Sequence, residues 1–142
     1  PVLDKYNSVE SYVSNCMSSK MLKVFPQTFL KSQYDFVVWY DNKFSANVDD
    51  TIKVIDSWND QHALMVHKHT FLKNVKQEFA ESMKQPRYAY ERDKYTEYIN
   101  ECKEVGLSDN YKFHSQTGFI IYNLNHKMTV KLQQEWMRHI EK

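Results

Sequence analysis

Residues 34–44 read Tyr-Asp-Phe-Val-Val-Trp-Tyr-Asp-Asn-Lys-Phe, and this stretch limits the fold more than any other. Six of the seven residues from Tyr34 to Tyr40 are aromatic or β-branched. Such side chains crowd χ1 in a helix and pack well on a pleated surface. The run is too apolar to alternate, so it predicts an interior strand covered on both faces. It stops at Asp41-Asn42-Lys43. Polar groups just past the carboxyl end of a strand lie where open α/β sheets hold ligands. Asp41 there suits a hard divalent cation, and Lys43 suits a phosphate. The same three residues also read as an ordinary turn after a strand.

Strands alternating with helices predict the rest of the chain. Apolar residues at helical spacing mark 9–24, with Asn7 and Glu10 as a capping box and Pro26 as the stop. A second helix is expected over 49–58, capped by Asn47 or Asp49. A short apolar run at 62–66 reads as a strand or a buried helix turn, and it leads into His67-Lys68-His69. Helical spacing returns over 71–83, is interrupted at Pro86, and resumes over 88–105 to end at Gly106 as C′ residue. Residues 117–122 read as a third strand, and Asn125 as the cap of a last helix carrying Met128, Leu132, Trp136 and Ile140. The expectation is an α/β layered domain over 1–142, a small sheet shielded by helices.

Composition removes several functions. With 142 residues and only two glycines, the chain carries neither a dinucleotide-binding glycine fingerprint nor a P-loop. Nineteen basic and eighteen acidic side chains leave a formal charge of +1, which provides no field for nucleic acid. No apolar run reaches the ~20 residues of a membrane span, so none is expected, and no signal peptide is visible. Cys16 and Cys102 suit reduced thiols in a cytoplasmic protein, although the spacing leaves one disulfide open. The chain starts at Pro1, and is expected to be a piece of something longer.

Other chemistry-bearing residues are fewer. His67 and His69 form an H-x-H pair, which on a strand puts both rings on one face, yet a zinc site needs more ligands. His69 alone suits a polar contact to a ligand. Glu78 and Glu81 offer a general base or a solvated helix face. Arg87, Tyr88, Tyr90, Arg92, Lys94 and Tyr95 mix cations with aromatics, as single-strand binders and sugar clefts both do. No serine sits in a G-x-S-x-G elbow.

Taken as an ordered set, Trp39-Tyr40-Asp41-Asn42-Lys43, Lys68-His69 with Glu78, Gly106, and Gly118-Phe119-Ile120-Ile121 with Trp136 resemble the GT-A glycosyltransferases, including viral members that build the glycan of a capsid protein. The resemblance spans roughly residues 20–140. It implies a GT-A-like mixed sheet flanked by helices, a UDP-sugar donor, a glycan or glycoprotein acceptor, and manganese or magnesium. Asp41 would be the metal and diphosphate residue. The usual Asp-x-Asp is incomplete, because Lys43 fills its third position and implies that a lysine shares the neutralisation. His69 and Glu78 match the family's histidine and glutamate and are the implied catalytic residues. Gln116 and Gly118 fall in the segment that approaches the donor sugar. Tyr98 stands where relatives carry a glutamine, and the family's first nucleotide-binding strand and its late Asp-Gln pair are not found. A viral member would act in the host cytoplasm.

Two other classes compete. One is a non-catalytic α/β interaction or single-stranded nucleic-acid binding module; the other is a metal hydrolase centred on His67 and His69.

Overall fold

The computed structural model describes residues 9–141, without the side chains of residues 9–14, 16 and 87. The expected Asn7–Glu10 capping box and the thiol of Cys16 lie outside that description. The architecture is mixed α/β, with a three-stranded antiparallel sheet. In chain order the elements are α1 (Val9–Val24), a 3-10 turn (Pro26–Phe29), β1 (Phe36–Tyr40), α2 (Val48–Asp56), β2 (Leu64–Lys68), α3 (Val75–Ser82), α4 (Pro86–Ala89), α5 (Arg92–Glu104), β3 (Ser115–Asn123) and α6 (Thr129–Ile140).

The strand order β1-β3-β2 corrects the reading of the aromatic run. β1 is an outer strand, half-buried from Phe36 to Trp39 and exposed at Tyr40; β3 is the central one, with Ile120, Ile121 and Tyr122 all fully buried. Three consecutive buried residues mean that both faces of β3 are covered. Aromatic and β-branched composition reports a pleated, partly covered surface and does not distinguish edge from centre. β1 runs against β3 from Phe36 opposite Asn123 to Tyr40 opposite Phe119. Asp41 N donates to Gly118 O at 2.8 Å and extends the ladder by one bond.

Cα-contact density divides the chain into two compact units, one from the described residues up to Met65 together with those from Gly118 onward, the other Val66–Thr117. The first holds every buried side chain described: Val24, Pro26, Ala63, Ile120, Ile121, Tyr122 and Met137, with Lys23, Asn123, Thr129 and Gln133. Full burial of one such aliphatic side chain is worth about 2 kcal/mol. Its buried polar groups are paired. Gln133 and Gln27 exchange amide hydrogen bonds at 2.7 and 3.0 Å, and the Tyr122 hydroxyl donates to Lys23 O at 2.8 Å. α6 is not capped by Asn125, whose amide donates instead to Asp35 Oδ1.

Gly118 is fixed by space. A Cβ there would lie 2.2 Å from Cε2 and 2.6 Å from Cζ of Phe44, so the ring packs directly against the backbone of β3. Gly118→Ala is expected to cost about 1–3 kcal/mol by overpacking, with part recovered when Phe44→Leu is added. Urea denaturation of both variants checks it; a wild-type midpoint for Gly118→Ala would mean the ring is not held there.

In the second unit no described side chain is fully buried. The expected helix over 71–83 is shorter, because His69 Nδ1 accepts the N–H groups of Phe71 and Leu72 and Asn74 caps α3 through Gln77 N. Pro86 starts α4 as well as breaking the preceding helix, which is the position where its missing N–H costs nothing. α5 ends at Gly106 as expected, with φ +86°, Leu107 N donating to Cys102 O and Gly106 N to Lys103 O. That pair of bonds is a Schellman motif, and it requires the left-handed conformation that glycine tolerates.

Candidate functional site

In the first unit, β1 delivers Asp41 beside a lysine that the spacing did not reveal. Asp41 Oδ1 accepts from Lys23 Nζ at 3.2 Å and from Trp39 Nε1 at 3.0 Å. Lys23 lies in the last turn of α1, and its side chain is 9% exposed. Burial pulls the Lys23 ammonium below the ordinary lysine range, against the opposing charge and hydrogen bond of Asp41. Burial alone would raise the Asp41 carboxyl, but the Trp39 hydrogen bond, the charge and hydrogen bond of Lys23, and the charge of Lys43 together hold it below its ordinary value. Asp41 is thus an anion with its counterion already in place. Lys43 is exposed just beyond it, with Nζ 6.0 Å from the Phe44 ring centroid.

That arrangement bears on the expected manganese or magnesium. A divalent ion needs several oxygen ligands, and an ammonium at 3.2 Å repels it. Among the described residues no three His, Cys, Asp or Glu side chains come together to hold a metal. The residues around Asp41 therefore do not fit the ion, and Lys23 is the counter-charge to the carboxylate. Gly118 contributes its carbonyl to Asp41 N and lies buried under Phe44, which accounts for it structurally.

The second unit brings the other expected residues together through one that was missed. His69, just past β2, stacks on His114 with ring centroids 5.4 Å apart and planes 24° apart. Its backbone N–H donates to His114 O at 2.8 Å. His114 Nε2 lies 2.5 Å from Glu78 Oε2, with side chains 10% and 50% exposed respectively. The contact is close but is not a formed hydrogen bond: Nε2 is shut off from solvent and lacks a properly directed partner. His114 thus stands between the two expected catalytic residues. Only its place just before a β-branched run marked it in the sequence.

Glu78 also forms part of the wall of a cavity of about 290 Å³ walled by Phe79, Tyr88, Tyr95, Tyr98 and Ile99. Tyr98, noted as a departure from the GT-A pattern, contributes an aromatic face here. Gln116 is half-buried on β3 in this unit.

Several candidates fall away. Glu81 pairs with Lys84 at 2.6 Å on an exposed face. His67 is exposed, with Nδ1 3.0 Å from Lys68 O, and His69 Nδ1 is already taken by two backbone N–H groups, so the H-x-H pair does not form a two-histidine ligand set. Lys94 pairs with Glu91, and the Arg87 side chain lies outside the described residues. Cys102 is a free thiol. No helix among the described residues is long and apolar enough to cross a membrane.

Comparison with protein-family models, with curated proteins and with solved structures gives no match.

Proposed function

We propose that this chain is a glycosyltransferase domain of GT-A type that moves a sugar from a nucleotide diphosphate, a UDP-sugar, onto a hydroxyl of a glycan or glycoprotein. The observation that carries the reading is Glu78: a half-exposed carboxylate, with His114 Nε2 2.5 Å away, in the wall of a tyrosine-lined cavity. Aromatic faces pack against the C–H faces of a sugar ring, and a small number of polar groups orient it. A carboxylate in that wall can take the proton of an acceptor hydroxyl. The hydroxyl oxygen then bonds to the anomeric carbon as the bond from that carbon to the diphosphate oxygen breaks, and the diphosphate leaves with the electron pair. Its developing charge needs cations. Since Asp41 is paired with Lys23, lysines are the groups this chain offers for that task.

The test is UDP release from a panel of UDP-sugars in the presence of glycan acceptors. Release that depends on acceptor and is unchanged by chelator or by added manganese is the expected result. No release and no binding of any nucleotide would remove the proposal. A second reading, single-strand or protein binding through aromatic side chains, draws on Phe71 and Tyr90, 84% and 81% exposed. It predicts binding to oligonucleotides or a partner protein with no UDP release.

A further inference from the structure

We infer that a lysine-lined groove in the second unit binds a diphosphate group. Lys68, Lys73 and Lys112 line a concavity of about 470 Å³ together with His69, Thr70 and Asn110, and no carboxylate contributes to its walls. None of the three lysines has a carboxylate beside it. Lys23, Lys53, Lys84, Lys94 and Lys103 each sit within 3.2 Å of a carboxylate, whereas no ion pair is formed by Lys68, Lys73 or Lys112 among the described residues. Three unneutralised ammonium groups around one hollow, with no acid in its walls, make a local positive field in a chain whose formal charge is only +1.

The hydrogen-bond inventory has the same sign. His69 Nδ1 accepts from Phe71 N at 3.2 Å and Leu72 N at 2.9 Å, so in the neutral ring the proton resides on Nε2. Asn110 Oδ1 accepts from Asn74 Nδ2 at 2.7 Å, which leaves the Asn110 amide nitrogen as a donor. Donors therefore dominate the side chains of the wall, whose imidazole and amide acceptors are already engaged in holding the loop. That is the complement of a compact, multiply charged oxyanion, and lysine serves such an anion as a point charge. A nucleic-acid backbone calls for a long basic stripe, which this groove does not provide. Because Glu78 in the tyrosine cavity carries negative charge, an anion is directed to the lysine groove and a neutral sugar to the cavity.

The inference rests on the glycosyltransferase reading only in naming the source, the diphosphate of the sugar nucleotide. The experiment titrates the full chain with inorganic pyrophosphate, UDP and uridine by calorimetry, for wild type and for Lys73→Glu with Lys112→Glu. Both lysines are exposed, so circular dichroism is expected to be unchanged. Pyrophosphate and UDP should bind, uridine should not, and the double variant should weaken both by roughly tenfold or more. Rising salt should weaken both as well. Pyrophosphate binding that depends on the lysines and is not displaced by UDP supports the groove while removing the nucleotide donor. UDP binding that is unchanged in the double variant, or an absence of pyrophosphate binding, overturns the groove; in the first case the donor reading stands.

Discussion

Glu78→Gln is expected to lower the rate of the proposed sugar transfer by roughly 10²- to 10⁴-fold, the range a positioned general base contributes, while leaving KM for the acceptor close to wild type. Glutamine keeps the shape and a hydrogen-bond acceptor but cannot take a proton. The fold should not notice, because the Glu78 side chain is half exposed and its backbone N–H bond to Asn74 O is retained. Glu81→Gln, one turn along the same helix and paired only with Lys84 in solvent, is the control and should leave the rate unchanged. Steady-state rates with saturating UDP-sugar and a glycan acceptor separate the two. A Glu78→Gln protein that transfers at the wild-type rate would show that the carboxylate does not act on the hydroxyl.

Asp41→Asn destabilises the protein by about 3 kcal/mol, the low end for breaking a buried pair, because the Asp41 side chain is 30% exposed. The substitution leaves the Lys23 ammonium enclosed with no counter-charge, and that enclosed ammonium is the source of the cost. Lys23→Met with Asp41→Asn should recover most of the loss, since it removes the stranded ion with its partner. The pH dependence has a definite sign. With its folded pKa below the ordinary value of 3.8, Asp41 lends stability that is complete above that value and is lost as pH falls through the folded pKa. Urea midpoints of wild type and Asp41→Asn measured from neutral to strongly acid pH should therefore differ most at neutral pH and converge in acid. A constant gap at every pH would mean the carboxylate is not what holds Lys23.

Periodicity located most of the elements and misjudged their ends. The run 9–24 is a helix as its spacing says, and Gly106 closes α5 because its left-handed φ is a local property that glycine announces. The start of α3 was misread because Phe71 and Leu72 continue the apolar rhythm while their N–H groups are bound by His69, a contact of side chain with backbone that no periodicity reports. The edge position of β1 was hidden for a similar reason: strand order depends on pairings between distant segments, and a run's own composition is silent about its neighbours. Of the candidate residues, Asp41, His69 and Glu78 are singled out by position and motif. Their partners Lys23 and His114 could not, since Lys23 to Asp41 and Glu78 to His114 are joined only by the folded chain. Lys23 did leave a trace, a lone cation between Leu22 and Val24 in an apolar stretch.

The absence of any fully buried side chain among those described in Val66–Thr117 has an energetic consequence for whatever meets Glu78 and the lysines. A segment with so little enclosed apolar surface opens at low free energy, and its helices can shift without breaking a jigsaw. A substrate settling among the tyrosines would add the contacts this segment lacks, so part of its binding energy is spent on stiffening the receptor, and affinity and local order rise together.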